Sequence, residues 1–408
     1  MSFLVTILAS KSNELDLSKD VEGLRRVFGS SKYSVRHCDP LEPPSYSDLA
    51  IHLEVPAFGW TAWSAKNCLV VNPDLYEAAA WNSYLCRFDH VVTKDRTALA
   101  EFKEIVGEKA IFIPWAAVPV SSVDTVQRFQ DFTNAWRNLV PIQPRPAELK
   151  YLPPKLEEAD CPPISVVTLI YNRKKFFDLA CHSMMVSDYP KDKIEWVIVD
   201  DSDDPAEQNS DRIVAVGNDA APMKFVYVPL KRKTPVSEKR NLGVAAATNE
   251  VVLFVDDDDH YPQTSFRRRV AWLTLHPWRP KVVAATTIAC YDLIKGISAV
   301  NVPPHNIPLA QRISEATLTF YKSFWAERGF PKDIVVGEGE GFIQGREGSF
   351  LEIPPQHIIV AFSHGKNVSS RRVPSDVDVK PGCFWGFPKE FLVFVHGLAG
   401  ISIIDKET

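Results

Sequence analysis

Little in this chain marks it as anything but an ordinary globular protein, and each missing feature removes a class. Its seven cysteines, at 38, 68, 86, 161, 181, 290 and 383, are odd in number and include no C-x-x-C pair, which argues against a disulfide framework or a zinc ribbon. The longest apolar tract, Phe391 to Ile404, is fourteen residues broken by His396, Gly397 and Gly400. That falls short of the roughly 20 residues needed to cross a bilayer, so no transmembrane segment is expected. The start, MSFLVTILASK, has neither a basic leader nor a secretory apolar stretch, and the expectation is a soluble, cytoplasmic protein without a signal peptide. Neither charge sign dominates: 46 Lys and Arg stand against 51 Asp and Glu, for a net charge of −5. Non-specific nucleic-acid or anionic-membrane binding has no electrostatic footprint here. No repeat of fixed period is present.

What is present is length and a hydrophobic share of 45% in 408 residues, enough for two to three domains with their own cores. Seven prolines fall within the 23 residues from Pro141 to Pro163, which reads as a semi-rigid linker over 141–162. It would separate a domain over 1–140 from one over 163–408. The first part alternates apolar runs (Phe3 to Leu8, Ser34 to His37, Leu49 to Leu53, Cys68 to Val71, His90 to Thr93, Ala110 to Ile113) with helical patterns, the signature of α/β with a parallel sheet. The stretch NPDLYEAAAW…CRFDHVVTKDRTALAEF…AIFIPWA resembles part of the N-terminal Rossmann-like half of a GT-B glycosyltransferase. No glycine-rich phosphate loop follows its first run, where ASKSNELD stands, so its role stays open.

The second part alternates in the same way: strands at Ile164 to Ile170, Glu195 to Val199, Phe225 to Val228 and Val251 to Val255, with helices between them. Each strand empties into polar residues, and in open α/β sheets that carboxyl edge is where ligands bind. Val251 to Val255 runs into Asp256, Asp257, Asp258 and Asp259. Four successive carboxylates repel one another unless a cation meets them, and hard oxygen donors suit Mg²⁺ or Mn²⁺, which in turn holds phosphate oxygens. A second apolar run ends in Asp200 and Asp201, where a carboxylate can accept from the N–H of a uracil or guanine. Lys239 and Arg240 open a helical stretch and suit a diphosphate leaving group. Lys231 to Lys233 read as a loop and Arg267 to Arg269 as the outer face of a helix.

The segments ISVVTLIYNR, EWVIVDDSDD and SEKRNLGVAAATNEVVLFVDDDDHYP, with the later acidic and His segments, look like the GT-A nucleotide-sugar glycosyltransferases, family 2 in particular, over roughly 163–370. The resemblance implies a GT-A fold and a donor site in which Thr168, Ile170, Tyr171 and Asn172 cradle the base, Asp200 and Asp201 bind it, and Lys239, Arg240 and Asn241 face the phosphates. It maps the D-x-D motif to Asp256 and Asp258, with Asp257 beside the nucleotide, Asp258 as the expected metal ligand and His364 as a further one. It also implies a catalytic carboxylate in VVGEGEGF; this chain has Glu338-Gly339-Glu340 where Glu-Asp is usual, so the base is Glu338 or Glu340. Trp325 is placed to stack an acceptor sugar.

The expectation is therefore a glycosyltransferase dependent on Mn²⁺ or Mg²⁺ that passes a sugar from a UDP- or GDP-sugar to a glycan or glycoprotein hydroxyl with inversion. Two alternatives stand beside it: a retaining GT-A transferase, and a degenerate, non-catalytic sugar- or nucleotide-binding module, for which the Gly339 substitution speaks. A haloacid-dehalogenase-type phosphatase expects Thr or Val after D-x-D-x, and here His260 follows Asp259.

Overall fold

A computed structural model describes residues 2–10, 17–116, 123–141, 152–304, 306–365, 367 and 385–402. Residues 142–151 of the proline-rich stretch, 11–16 after the first strand, His305, Val368, Ser369 and Cys383 lie outside them. The chain divides into two compact units, one of Met1–Pro153 with His305–Leu309, the other of Pro154–Pro304 with Ala310–Thr408.

The first unit is built on six parallel strands in the order Tyr33–Cys38, Phe3–Leu8, Ser47–Leu53, Ser64–Val70, His90–Thr93, Ala110–Phe112. Its central strands are apolar on both faces because helices cover both, as parallel sheets require. Val5, Ile7, Leu49, Ile51 and Val70 meet Leu24 and Val27 of the helix Ser18–Val27 and Phe132 and Trp136 of the helix Val123–Leu139. Strand Ser47–Leu53 also carries a wholly buried His52. Its Nδ1 accepts from the Ala57 N–H at 3.0 Å and its Nε2 meets Asn67 Oδ1 at 3.2 Å, so the neutral ring is fully used.

The second unit has a seven-stranded sheet in the order Phe350–Glu352, Val282–Ala284, Thr319–Tyr321, Val251–Phe254, Ile164–Ile170, Ile194–Asp200, Lys224–Pro229. The last four are mutually parallel, as expected, and Thr319–Tyr321 runs antiparallel between its neighbours. A second sheet joins Ile297–Asn301, Ile288–Asp292 and Val360–Ser363. The α/β architecture is thus the expected one, with strands of three residues that no sequence period announces.

Two side-chain placements govern the carboxyl edge. The helix Val236–Ala246 lies close on the sheet through Gly243, where a Cβ would overlap Val167 Cγ1 and sit 3.2 Å from Val199 Cγ2. Lys239 and Arg240 stand one turn earlier on the same face, so this contact sets their height above the strand ends. Arg269, expected on a solvent-facing helix surface, is instead fully buried on the helix Ser265–Leu275. Its guanidinium donates to the carbonyls of Phe254 (2.9 Å) and Leu318 (2.6 Å) and to Thr319 Oγ1 (2.8 Å), taking up acceptors where strand Val251–Phe254 ends. Burial pushes its pKa down to about 10.

Among the described residues, no helix is long and apolar enough to cross a membrane. Burial, against the opposing hydrogen bond to Asn67, lowers the pKa of His52 to about 4, below the ~6.5 of an unfolded chain. The unfolded state therefore takes up the proton first, and stability is lost as pH falls from about 6.5 towards 4, by roughly 3 kcal/mol from this group. Thermal melts across that range will show the decline, and His52→Gln will flatten its slope. Gly243→Ala forces Val167 aside and will cost about 1–3 kcal/mol in denaturant unfolding; an unchanged midpoint would show that the helix does not rest there.

Candidate functional site

Strand Ile164–Ile170 lies between the two strands that end in acids, and its own continuation threads between them. Asn172 adopts φ 47°, a left-handed conformation that asparagine tolerates better than most residues. Its side chain accepts from the N–H groups of Asp203 and Asp204, both at 3.1 Å, and donates to Asp203 Oδ1 at 2.8 Å; its backbone N–H donates to Ser202 Oγ at 3.0 Å. Asn172 therefore ties the first strand end to the loop after Ile194–Asp200. Asp200 accepts from the Ser202 N–H and the Tyr227 hydroxyl, both at 3.0 Å. Buried Asp201 accepts from the Thr234 N–H at 2.8 Å and pairs with Lys239, whose ammonium also donates to the Ile170 carbonyl at 2.8 Å. Burial lowers the Lys239 pKa against the opposing pull of Asp201.

Tyr171 is half-buried at this edge, with the Lys233 ammonium 4.4 Å from its ring centre. Thr168 is not at the edge. It is wholly buried and its hydroxyl accepts from the Trp196 indole N–H at 3.0 Å. Ile170 is likewise buried, and offers its carbonyl to Lys239 rather than a side chain to a ligand. These two placements correct the expectation that both cradle a base: the strand is covered on both faces, and its side chains are spent on the core.

Beyond strand Val251–Phe254, Asp256 is half-buried and Asp257, Asp258 and Asp259 are buried. Asp256, Asp258 and Asp259 each offer an oxygen within 4.8 Å of the others. Asp259 accepts from the Phe362 N–H at 3.0 Å. Asp258 Oδ2 meets His364 Nε2 at 3.1 Å, Asn367 Nδ2 at 3.3 Å and Arg173 Nη1 at 2.5 Å. Arg173 Nη1 also reaches Asp257 Oδ1 at 3.0 Å, while Asp257 Oδ2 is buried without a hydrogen-bond partner among the described residues. Burial, reinforced by Asp258 and Asp256 and opposed by Arg173, pushes the Asp257 pKa up to about 7. Burial draws the Arg173 pKa down, but the surrounding carboxylates outweigh it and leave it raised. Three hard carboxylates with one imidazole against Asp258 form a donor set suited to Mg²⁺ or Mn²⁺.

Arg240 links this cluster to the later acidic segment. Its Nε donates to Glu338 Oε1 at 2.5 Å and its Nη2 lies 3.9 Å from Asp256, with both Arg240 and Glu338 buried. The expected basic helix start is thus neither solvated nor free. Glu338 and Glu340 open the helix Glu338–Ile343 and, two residues apart, point about 200° from each other around its axis. Glu340 is half-buried and accepts from Gln311 Nε2 at 2.9 Å. Beneath the same turn lies Glu315, which accepts from the Gly339 N–H at 3.1 Å; a Cβ at residue 339 would lie 2.9 Å from Glu315 Oε1. Desolvation, then Glu338, pushes the Glu315 pKa up to about 7. Asn241 and Trp325 face each other instead of a ligand: the indole N–H donates to Asn241 Oδ1 at 2.8 Å, and Asn241 also holds both backbone groups of Phe330.

Sequence reading passed over Arg173, Glu315 and Asn367. Arg173 stands in the quoted YNR turn, one residue past the tie at Asn172, and that position was the available signal. Glu315 lies in RISEATLTF, where nothing marks it.

A family model described as Glycosyl transferase family 2 matches residues 165–291. Two curated relatives, the poly(ribitol-phosphate) beta-N-acetylglucosaminyltransferases TarS of Staphylococcus aureus strains Mu50 / ATCC 700699 and MW2, are each 30% identical over 112 residues, 28% of this chain and 19% of theirs. The chain thus spans about a fifth of the length of those relatives. Among solved structures, a mannosyltransferase PcManGT from Pyrobaculum calidifontis in complex with GDP-Man and Mn²⁺ aligns with TM-score 0.39 and 18% identity over 52% of this chain and 58% of that one. S. aureus TarS 1-349 in complex with UDP-GlcNAc aligns with TM-score 0.38 and 19% identity over 49% and 58%. The matched residues, over which the chain is similar to family 2 glycosyl transferases, contain Asn172, Arg173, Asp200, Asp201, Lys239, Arg240 and the whole Asp256–Asp259 run.

Proposed function

We propose that the chain is a glycosyltransferase that moves a sugar from a nucleoside diphosphate sugar to an acceptor hydroxyl at the carboxyl edge of the second unit's sheet. The observation that carries this reading is the meeting, at one sheet edge, of two acid-bearing strand ends with Lys239, Arg240 and the Glu338–Ile343 helix. Tyr171 offers a ring face to the base and the Asp200–Asp201 carboxylates offer acceptors to its N–H groups. UDP- and GDP-sugars are both candidate donors, since uracil and guanine each offer an N–H to such a carboxylate.

Asp256, Asp258 and Asp259, with His364 against Asp258, would hold Mn²⁺ or Mg²⁺. Such an ion supplies positive charge to the departing diphosphate. Lys239 and Arg240 add fixed positive charge at the same edge, in a setting where screening by water is weak. Glu340 takes the acceptor proton as the acceptor oxygen bonds to the anomeric carbon and the carbon–oxygen bond to the diphosphate breaks. Glu338 is unsuited to that work because its carboxylate is committed to buried Arg240, whereas Glu340 is held only by a neutral amide. A single displacement of this kind inverts the anomeric centre, and product stereochemistry by NMR separates it from a retaining reaction. The same commitment of Glu338, with Gly339 at the dyad position, also favours a donor-binding module without turnover, so transfer must be measured and not only binding.

Thermal shift with UDP- and GDP-sugars will show stabilisation by the true donor, about 2.7 kcal/mol at a hundredfold excess over Kd, that depends on Mn²⁺ or Mg²⁺ and vanishes in Asp258→Ala. No shift with any of these donors would sink the reading. Glu340→Gln will lower kcat by about 10²–10⁴-fold and leave the donor shift in place. Glu338→Gln strands Arg240 and will cost about 3–5 kcal/mol of stability. Full turnover in Glu340→Gln would move the base elsewhere.

A further inference from the structure

Arg173 pairs with Asp258, one of the three carboxylates that could hold a divalent ion. One of its nitrogens, Nη1, lies 2.5 Å from Asp258 Oδ2 and 3.0 Å from Asp257 Oδ1. Asp258 Oδ2 is also approached by His364 Nε2 and Asn367 Nδ2. A carboxylate oxygen has about two lone-pair directions; Arg173 takes one at 2.5 Å, and Asn367 Nδ2 and the His364 ring, which also face each other at 3.1 Å, crowd the rest. An incoming cation that needs this oxygen must displace a donor, and the charged donor is the one it repels.

The chain beside Arg173 is anchored, while among the described residues its head is held by Asp257 and Asp258. Asn172, beside it, is fixed by Ser202, Asp203 and Asp204. The Arg173 side chain keeps 22% of its surface exposed, against 5% for Arg240 and 4% for Lys239, so it has an open path that the other two lack. A guanidinium is also the cation best shaped to grip a phosphate through two parallel hydrogen bonds.

We propose that Arg173 is an internal counter-ion that competes with the divalent ion for Asp258: it neutralises the carboxylate cluster while the donor is absent, yields Asp258 when ion and nucleotide arrive together, and then pairs with the diphosphate. This deepens the metal-dependent reading above and rests on it. Ion and donor become coupled through one side chain. The ion alone must expel a guanidinium that gains no new anion in exchange, whereas with a diphosphate present the expelled group finds one, and such coupling is reciprocal.

The test is Mn²⁺ binding to the full chain, read as loss of the free Mn²⁺ EPR signal, which needs no turnover. For the unaltered protein the expected result is weak binding of Mn²⁺ alone, strengthened at least tenfold by UDP or GDP. Arg173→Gln will bind Mn²⁺ alone at least tenfold more tightly than the unaltered chain, and the nucleotide will add little. Arg173→Lys keeps a charge that reaches only one carboxylate and will fall between them; it also supplies a readout should Arg173→Gln fail to fold. Equal or weaker binding of Mn²⁺ alone to both variants, while the unaltered chain binds Mn²⁺ with nucleotide, overturns the role of Arg173 and leaves the transferase reading standing. Failure of all three chains to bind Mn²⁺, with or without UDP or GDP, overturns both.

Discussion

Three buried carboxylates in succession, with a fourth half-buried beside them, sit at the end of an apolar strand only because positive charge meets them there. Removing an unpaired ion from water costs several kcal/mol, more than any one side-chain contact returns. Arg173 takes up Asp257 and Asp258, Arg240 stands near Asp256 while bonded to Glu338, and Lys239 takes up Asp201. The loops, the helix starting at Val236 and the helix starting at Glu338 are held in register by these pairs. Removing any one cation strands a charge that the surrounding core cannot solvate.

The cations themselves depend on packing that carries no charge. Gly243 lets its helix lie against Val167 and Val199, and this brings Lys239 within 2.8 Å of the Ile170 carbonyl. Gly339 leaves room for Glu315 under the turn that presents Glu338. Arg269 gathers the carbonyls of Phe254 and Leu318 just before the acidic run, which fixes where that run begins. Two glycines and one buried arginine thus set the height and spacing of every charged group at the edge.

The division of labour between the two glutamates follows from helix geometry. Residues two apart on a helix point to different sides, so Glu338 serves the buried arginine while Glu340 accepts from Gln311. In the first unit some buried polar groups close upon one another. His52 and Asn67 satisfy each other, and Asp20 accepts from both Lys94 and the Trp115 indole at 2.6 Å.

The sequence by itself determined the parallel sheets and their functional edge, because apolar runs of strand length that empty into Asp200–Asp201 or Asp256–Asp259 are local patterns, and every parallel strand ends on the same side. It also carried a resemblance to family 2 glycosyltransferases, which the family-model match supports over 165–291. It did not reveal the three-residue strands, such as Val282–Ala284 and Thr319–Tyr321, which are too short to show a period. Nor did it reveal that Thr168 is spent on Trp196, that Arg269 is buried, or that Glu315 lies beneath Gly339. Only the tertiary structure decided which cation meets which carboxylate. Arg173 and Asp258 are 85 residues apart and Arg240 and Glu338 are 98, and a pairing over such distances is chosen by how the strands and helices pack, with no trace in the spacing of the residues themselves.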